Sequence, residues 1–275
     1  MHKFTTAAFV SSMLIAGALP AAAADLPVKA RPMAPVMAAA YNWTGCYIGG
    51  NVGGKWVRTS GSVNIGPTGT GVGLGAPAAV AFAAADTSTL IAGGQVGCNY
   101  QAAGSNWVFG LEGDADWQRW SRTSTLVAPV PTPFVAGDIF DIRSRWQASA
   151  RGRIGYAWDR LMIYATGGAA FTNVTVGSNF IVFGIFPATV ASDTKTLFGA
   201  TVGGGLEYAF TNNFSAGIEG RYSWYGTQTY NAGLVATVFT PAIGAAGGAF
   251  TFAQATQTYK LDTFEVMAKL NWKIF

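Results

Sequence analysis

Residues 145–173, RWQASARGRIGYAWDRLMIYATGGAAFTN, alternate between apolar and polar side chains through two long runs separated by a single dipeptide. In the first run Trp146, Ala148, Ala150, Gly152, Ile154, Tyr156 and Trp158 fall on one face of a strand, and Arg145, Gln147, Ser149, Arg151 and Arg153 fall on the other. Asp159-Arg160 is enough to turn the chain, after which Leu161, Ile163, Ala165, Gly167, Ala169 and Phe171 resume an apolar face. Strands of soluble sandwiches are usually about 5 to 6 residues long and rarely gather several arginines on one side. A strand that crosses a bilayer needs about 9 to 11 residues, apolar toward lipid and polar toward the lumen. Trp146 to Tyr156 meets that requirement, with aromatics near both ends. The hairpin therefore reads as membrane-spanning, and the rest of the chain reads as repeats of it.

Composition agrees. Half of the residues are hydrophobic and only 11% are charged, against about 25% charged in an ordinary soluble domain, yet after the N-terminal segment no stretch approaches the ~20 uninterrupted apolar residues of a spanning helix. Apolar residues spread over every second position account for both facts. The start, MHK followed by an apolar run over residues 7–19 and then Ala22-Ala23-Ala24, predicts a secretory signal peptide cleaved after Ala24. Residues 25–42, rich in Pro and Ala and without a period, predict a flexible periplasmic lead-in, leaving 43–275 as the barrel domain. The net charge of +4 comes with no run of Lys or Arg, so nucleic acid is not an expected partner.

Taken in order, outward faces are predicted for Cys46 to Trp56, Leu90 to Tyr100, Trp107 to Trp117, Trp146 to Trp158, Leu161 to Phe171, Phe198 to Phe210, Phe214 to Trp224 and Phe264 to Ile274. Long connections are predicted over residues 58–86, around 130 with Pro129, Pro131 and Pro133, around 185, and over 226–257; the intervening connections are short. Alternating long and short connections are the pattern of outer-membrane barrels, with loops outside the cell and turns in the periplasm. The predicted fold class is all-β, an eight-stranded antiparallel up-and-down transmembrane β-barrel. A soluble lipocalin also has eight strands, but it turns its apolar face inward. Here the apolar face carries the aromatics, in one belt near the turns (Tyr100, Trp107, Tyr156, Trp158, Tyr208, Phe214, Trp272) and another nearer the loops (Trp56, Trp117, Trp146, Trp224, Phe264).

The segments CYIGGNVGGKW, GGQVGCNYQ, WVFGLEGDADW, RGRIGYAWDRLMIYATGGAAF and GGGLEYAF resemble the small immunogenic outer-membrane proteins of alphaproteobacteria, the opacity-like "porin family" group. The resemblance covers every predicted strand. It implies a cell outer-membrane location, roles in envelope integrity and surface interaction, lipid and lipopolysaccharide as surroundings, and recognition of the C-terminal strand by the barrel-assembly machinery. Such barrels usually end on an outward aromatic residue, whereas Leu270, Trp272 and Ile274 leave Phe275 one residue out of step.

An activated hydroxyl or water usually needs a neutral imidazole, and the only histidine, His2, lies in the predicted signal peptide. Ser144 and Ser149 read as polar lumen or rim residues, and Asp114 and Asp116, two apart on one strand beside arginines, read as ion-pair partners rather than an acid and base. GTGVGLGA at 69–76 lacks the Lys-Ser/Thr of a phosphate loop. No catalytic, cofactor-binding or metal residues are assigned, and the chain is expected not to be an enzyme. Glu112, Asp114, Asp116, Arg145, Arg151, Arg153, Glu207, Glu219, Arg221, Lys269 and Lys273 are predicted to fill the lumen as paired charges, because a bore of this size is only wide enough for side chains. A narrow, low-conductance porin and a loop-mediated adhesin or haem-type ligand binder are the alternative functions. Cys46 and Cys98, exported to an oxidising compartment and facing each other in a register that keeps every apolar residue outside, are predicted to form a disulfide.

Overall fold

The computed structural model describes residues 41–66, 78–125, 137–182, 186–241 and 248–274. The predicted signal peptide, residues 25–40 of the lead-in, the GTGVGLGA stretch, the three loop prolines and Phe275 lie outside the described residues. The strands are β1 (Gly45–Ile65), β2 (Ala78–Gln101), β3 (Trp107–Thr125), β4 (Ile139–Trp158), β5 (Leu161–Val182), β6 (Phe186–Ala209), β7 (Phe214–Pro241) and β8 (Gly248–Lys273). Each pairs antiparallel with the next, and β8 returns to β1 with Ile48 opposite Trp272 and Trp56 opposite Phe264, so the sheet closes into a barrel. Closure leaves no edge strand in the band where all eight ladders run; toward the long connections the β2–β3 ladder ends at Ile91 opposite Gln118 and the β6–β7 ladder at Ala200 opposite Trp224. Among the described residues no helix is long and apolar enough to cross a membrane.

The turn side is tight. Residues 102–106, 159–160 and 210–213 join the strands there. Asp159 takes φ 51°, a left-handed conformation that Asp tolerates better than most residues, and this lets two residues reverse the chain. The outward residues between the two aromatic belts are apolar and exposed, among them Leu90, Leu111, Ile154, Ile163, Ile218 and Leu270. The belts themselves are paired across strands: Trp117 faces Trp146 and Trp56 faces Phe264 on the loop side, while Trp107 faces Tyr156 and Phe214 faces Trp272 on the turn side. Ten residues separate Trp146 from Tyr156 along β4, which at the usual strand rise and tilt is about 25 Å of height, the apolar span of an outer-membrane barrel.

The strands do not stop at the loop-side belt. Instead of the long irregular connections predicted from their Gly, Ala and Thr content, β1 runs on to Ile65, β2 starts at Ala78, β7 continues through residue 240 and β8 starts at Gly248. In this collar the period of two persists while its chemistry inverts. Outward positions become polar (Arg58, Ser121, Arg143, Thr194, Thr229, Lys260), and inward positions become apolar (Val57, Trp120, Ile142, Val176, Leu197, Tyr225, Leu261). The solvent outside has changed from hydrocarbon to water, so the apolar side chains change faces. The loop prediction failed because small polar residues facing water in a strand look the same in sequence as those of a loop.

Bulges set the phase of this change. In β7, Gly226 adopts φ +68° and the register shifts between Trp224 and Thr227, so Tyr225 and Tyr230 both face inward although they are an odd number of residues apart. In β4, the register shifts between Trp117 and Trp120 toward β3 and between Arg143 and Gln147 toward β5. Arg145 and Trp146 are consequently both exposed, with Ser144 and Gln147 buried on either side. Asn173 Oδ1 accepts the backbone N–H groups of Arg145 (3.1 Å) and Trp146 (3.0 Å), which the bulge removes from the ladder.

Candidate functional site

The lumen is filled in three layers. At the turn side, Trp43 is buried with Val108, Ala157, Met162, Tyr164 and Ala209. Its backbone N–H donates to Gln101 Oε1 (2.9 Å) and its indole N–H to the Asp159 carbonyl (3.0 Å), while Tyr41 N–H donates to Asp159 Oδ1 (2.8 Å). Tyr41 and Asn42, assigned from sequence to the lead-in, are thus held at this mouth of the barrel. Lys273 belongs here too: its Nζ donates to the Asn42 carbonyl (2.7 Å) and lies 5.3 Å from the Tyr41 ring centroid.

The middle layer is ionic. Arg151 bonds Glu112 (2.6 Å), Asp114 (2.8 Å) and Glu219. Lys269 bridges Glu112 (2.6 Å) and Glu219 (2.9 Å). Arg221 reaches Glu265 (2.6 Å), Asp114 (2.9 Å) and Asp116 (3.1 Å). Toward the turns, Arg153 pairs with Glu207 and lies 3.7 Å from the Tyr164 ring centroid. Neutral donors complete the set: Tyr47 Oη to Glu112 (2.5 Å), Tyr164 Oη to Glu219 (2.9 Å), Ser149 Oγ to Asp114 (2.5 Å) and Gln147 Nε2 to Asp116 (2.9 Å). Gly97 makes room for one of these, since a Cβ there would lie 2.5 Å from Tyr47 Oη. Beyond this layer, Val57, Trp120, Ile142, Tyr225, Tyr259 and Leu261 close the bore on the collar side.

Of the predicted lumen charges, the structure brings together Glu112, Asp114, Asp116, Arg151, Arg153, Glu207, Glu219, Arg221 and Lys269. It does not bring in Arg145, which the β4 bulge turns to the exterior, nor Lys273, which sits in the turn-side mouth. Asp114 pairs with both Arg151 and Arg221, and Asp116 with Arg221. Lys55 and Glu265 complete the layer at 3.0 Å from each other, and Lys55 also donates to Gln147. Neither was assigned to it from sequence, although Lys55 and Glu265 lie opposite each other once β1 closes on β8.

Cys46 and Cys98 face each other in β1 and β2, and their sulfurs are bonded. Ser144, buried, shares hydrogen bonds with Gln118 Nε2 (2.7 Å) and Thr172 Oγ1 (3.2 Å). Among the described residues no group of three or more His, Cys, Asp or Glu is arranged to hold a metal ion. Within the ionic layer every carboxylate has a guanidinium or ammonium partner and every cation a carboxylate.

Comparison with known proteins gives this geometry a family. A 31 kDa outer-membrane immunogenic protein of Brucella melitensis is 31% identical over 82% of this chain and 88% of its own length. A 25 kDa outer-membrane immunogenic protein of Brucella abortus is 28% identical over 84% and 89%, and a 22 kDa outer membrane protein of Rhizobium leguminosarum is 28% identical over 72% and 71%. Residues 10–271 match the family model described as the outer membrane protein beta-barrel domain. With apolar residues outside, aromatic belts at both edges, and ion pairs within, this chain belongs to the outer membrane protein beta-barrel family and resides in the outer membrane.

Proposed function

We propose that the chain is an eight-stranded transmembrane barrel that serves as an envelope and surface protein, sealed to solutes, with its collar outside the cell and its tight turns in the periplasm. The observation that carries this reading is the filled cross-section. An ion-paired layer is stacked between two apolar ones, and two cavities beside them, one lined by Thr59, Phe140, Ile142 and Tyr259 and one by Trp43, Tyr47, Glu207 and Asn271, are each about 10 Å³, room for a single water. A diffusion path would need several of the buried charges to separate at once, and an uncompensated buried charge is costly. Each carboxylate of the ionic layer is paired with a guanidinium or ammonium group, and no catalytic step is assigned. The collar offers the exterior a hydrogen-bonded, polar surface, which accords with the term immunogenic in the names of the Brucella relatives. The outward series Phe264, Val266, Leu270, Trp272 and Ile274 of β8 is the surface we assign to recognition by the barrel-assembly machinery.

Planar-bilayer recording of the refolded protein tests the sealed lumen. The expected record is flat at moderate voltage. Reproducible conductance steps that scale with salt would overturn the closed reading and make the chain a narrow porin.

A further inference from the structure

We propose that Arg119, Arg143 and Arg145, on the outer wall of β3 and β4, form a binding site for the phosphate groups of the outer-leaflet glycolipid. All three side chains are exposed. They occupy the rungs just beyond the Trp117–Trp146 pair of the loop-side belt, Arg143 standing opposite Ser121 and Arg145 adjacent to Trp146. Interfacial aromatics mark the edge of the hydrocarbon, so the guanidinium groups stand at headgroup level. Strand spacing and rise place their Cβ atoms roughly 5 to 10 Å apart, close enough to share one phosphorylated sugar headgroup.

The pairing of the other exposed cations sharpens the assignment. In the collar, Arg58 is 3.7 Å from Asp86, Lys195 is 3.8 Å from Asp193 and Lys260 is 3.5 Å from Asp262. At the turn side, Arg160 donates to Asn212 Oδ1 (3.0 Å) and to the Ala209 carbonyl (3.2 Å), and Lys273 donates to Asn42. Among the described residues, Arg119, Arg143 and Arg145 have no carboxylate partner within salt-bridge distance. Arg122, Arg160 and Lys273 also lack a carboxylate partner but are half-buried, so the three fully exposed cations without one among the described residues are together, outside, and on one side of the membrane band.

The backbone is shaped to place one of them there. Regular alternation would send Arg145 into the lumen with Gln147, Ser149, Arg151 and Arg153. The β4 bulge, braced by Asn173, turns it outward beside Trp146, and re-aiming a side chain is a recurrent use of a bulge. Arginine's planar fork matches phosphate oxygens two at a time.

The proposal rests on the collar facing outward but not on a sealed lumen. It is tested by native mass spectrometry of the refolded chain in detergent, where neither cell orientation nor conductance enters. With hexa-acylated bisphosphoryl lipid A as probe, one-to-one adducts are expected, and the triple variant Arg119→Gln/Arg143→Gln/Arg145→Gln is expected to bind at least tenfold more weakly. Each single variant alters one exposed side chain and is expected to give an intermediate loss, which keeps the test open if the triple variant does not refold. Lys260→Gln, whose cation already has Asp262, is expected to leave binding unchanged. Dephosphorylated lipid A is expected to bind wild type as weakly as the triple variant binds the bisphosphoryl form, and inorganic phosphate at equal concentration is expected not to compete. Equal adduct formation by wild type and the glutamine variants, equal binding of the dephosphorylated lipid, displacement by free phosphate, or an equal loss in Lys260→Gln would each overturn the site.

Discussion

Arg221 donates to three carboxylates on two other strands, Asp114 and Asp116 of β3 and Glu265 of β8, and its removal takes a cation from all three in a buried layer. Breaking a buried pair by deleting one partner typically costs about 3 to 5 kcal/mol, whereas an exposed pair contributes roughly 0 to 1 kcal/mol. Arg221→Met is therefore expected to lower unfolding free energy by about 3 to 5 kcal/mol. Arg58→Met, which disrupts a pair whose members are 70% and 71% exposed, is expected to change it by less than about 1 kcal/mol. Urea titration of both variants in lipid vesicles, followed by tryptophan fluorescence, measures the difference; equal midpoints and slopes would show that the ionic layer does not hold the barrel. At this scale the sequence could name most of the inward charges but not their partners. Arg151 meets Glu219 of β7 across the bore, and no pattern along one strand reports what lies across a lumen.

The elements were legible where one solvent surrounds them and illegible where the solvent changes. Between the belts, apolar parity alone places Ile48, Val52, Ile154 and Leu270 outside, and all four are exposed. In β4, Phe140, Ile142, Trp146 and Ala148 are apolar and share even numbering. Phe140 and Ile142 in fact face inward, because the bulge shifts the phase by one residue while the collar inverts the chemistry, and in sequence the two changes cancel. Arg145 was misplaced for the same reason. In β1 and β2 nothing shifts near the turn side, and Cys46 stands opposite Cys98. The bond between them closes a separation of 52 residues, worth on the order of 4 kcal/mol by the chain-entropy model. Titration of thiols in unreduced, denatured protein from the envelope is expected to find none; two reactive thiols per chain would refute the bridge.

At the scale of the whole molecule, the barrel has one orientation to test. In a Cys46→Ser/Cys98→Ser background, Thr229→Cys and Ser121→Cys in the collar are expected to react with an impermeant maleimide on intact cells, and Asn212→Cys at a tight turn only after the outer membrane is opened. Labelling of Asn212→Cys alone on intact cells would invert the topology. The abrupt exchange of chemistry at the loop-side belt has a further consequence. Between the tryptophans at Trp146 and Trp158 the wall is greasy, and one rung above it stand Arg119, Arg143 and Arg145, so the barrel cannot ride higher or lower by even a few ångströms without drowning a guanidinium or lifting an indole into water. The protein acts as a fixed gauge for its surroundings. A bilayer whose hydrocarbon exceeds about 25 Å must thin where it meets the wall, at a cost of fractions of a kcal/mol per ångström, and the least costly place for such a barrel is beside others that have already thinned the membrane.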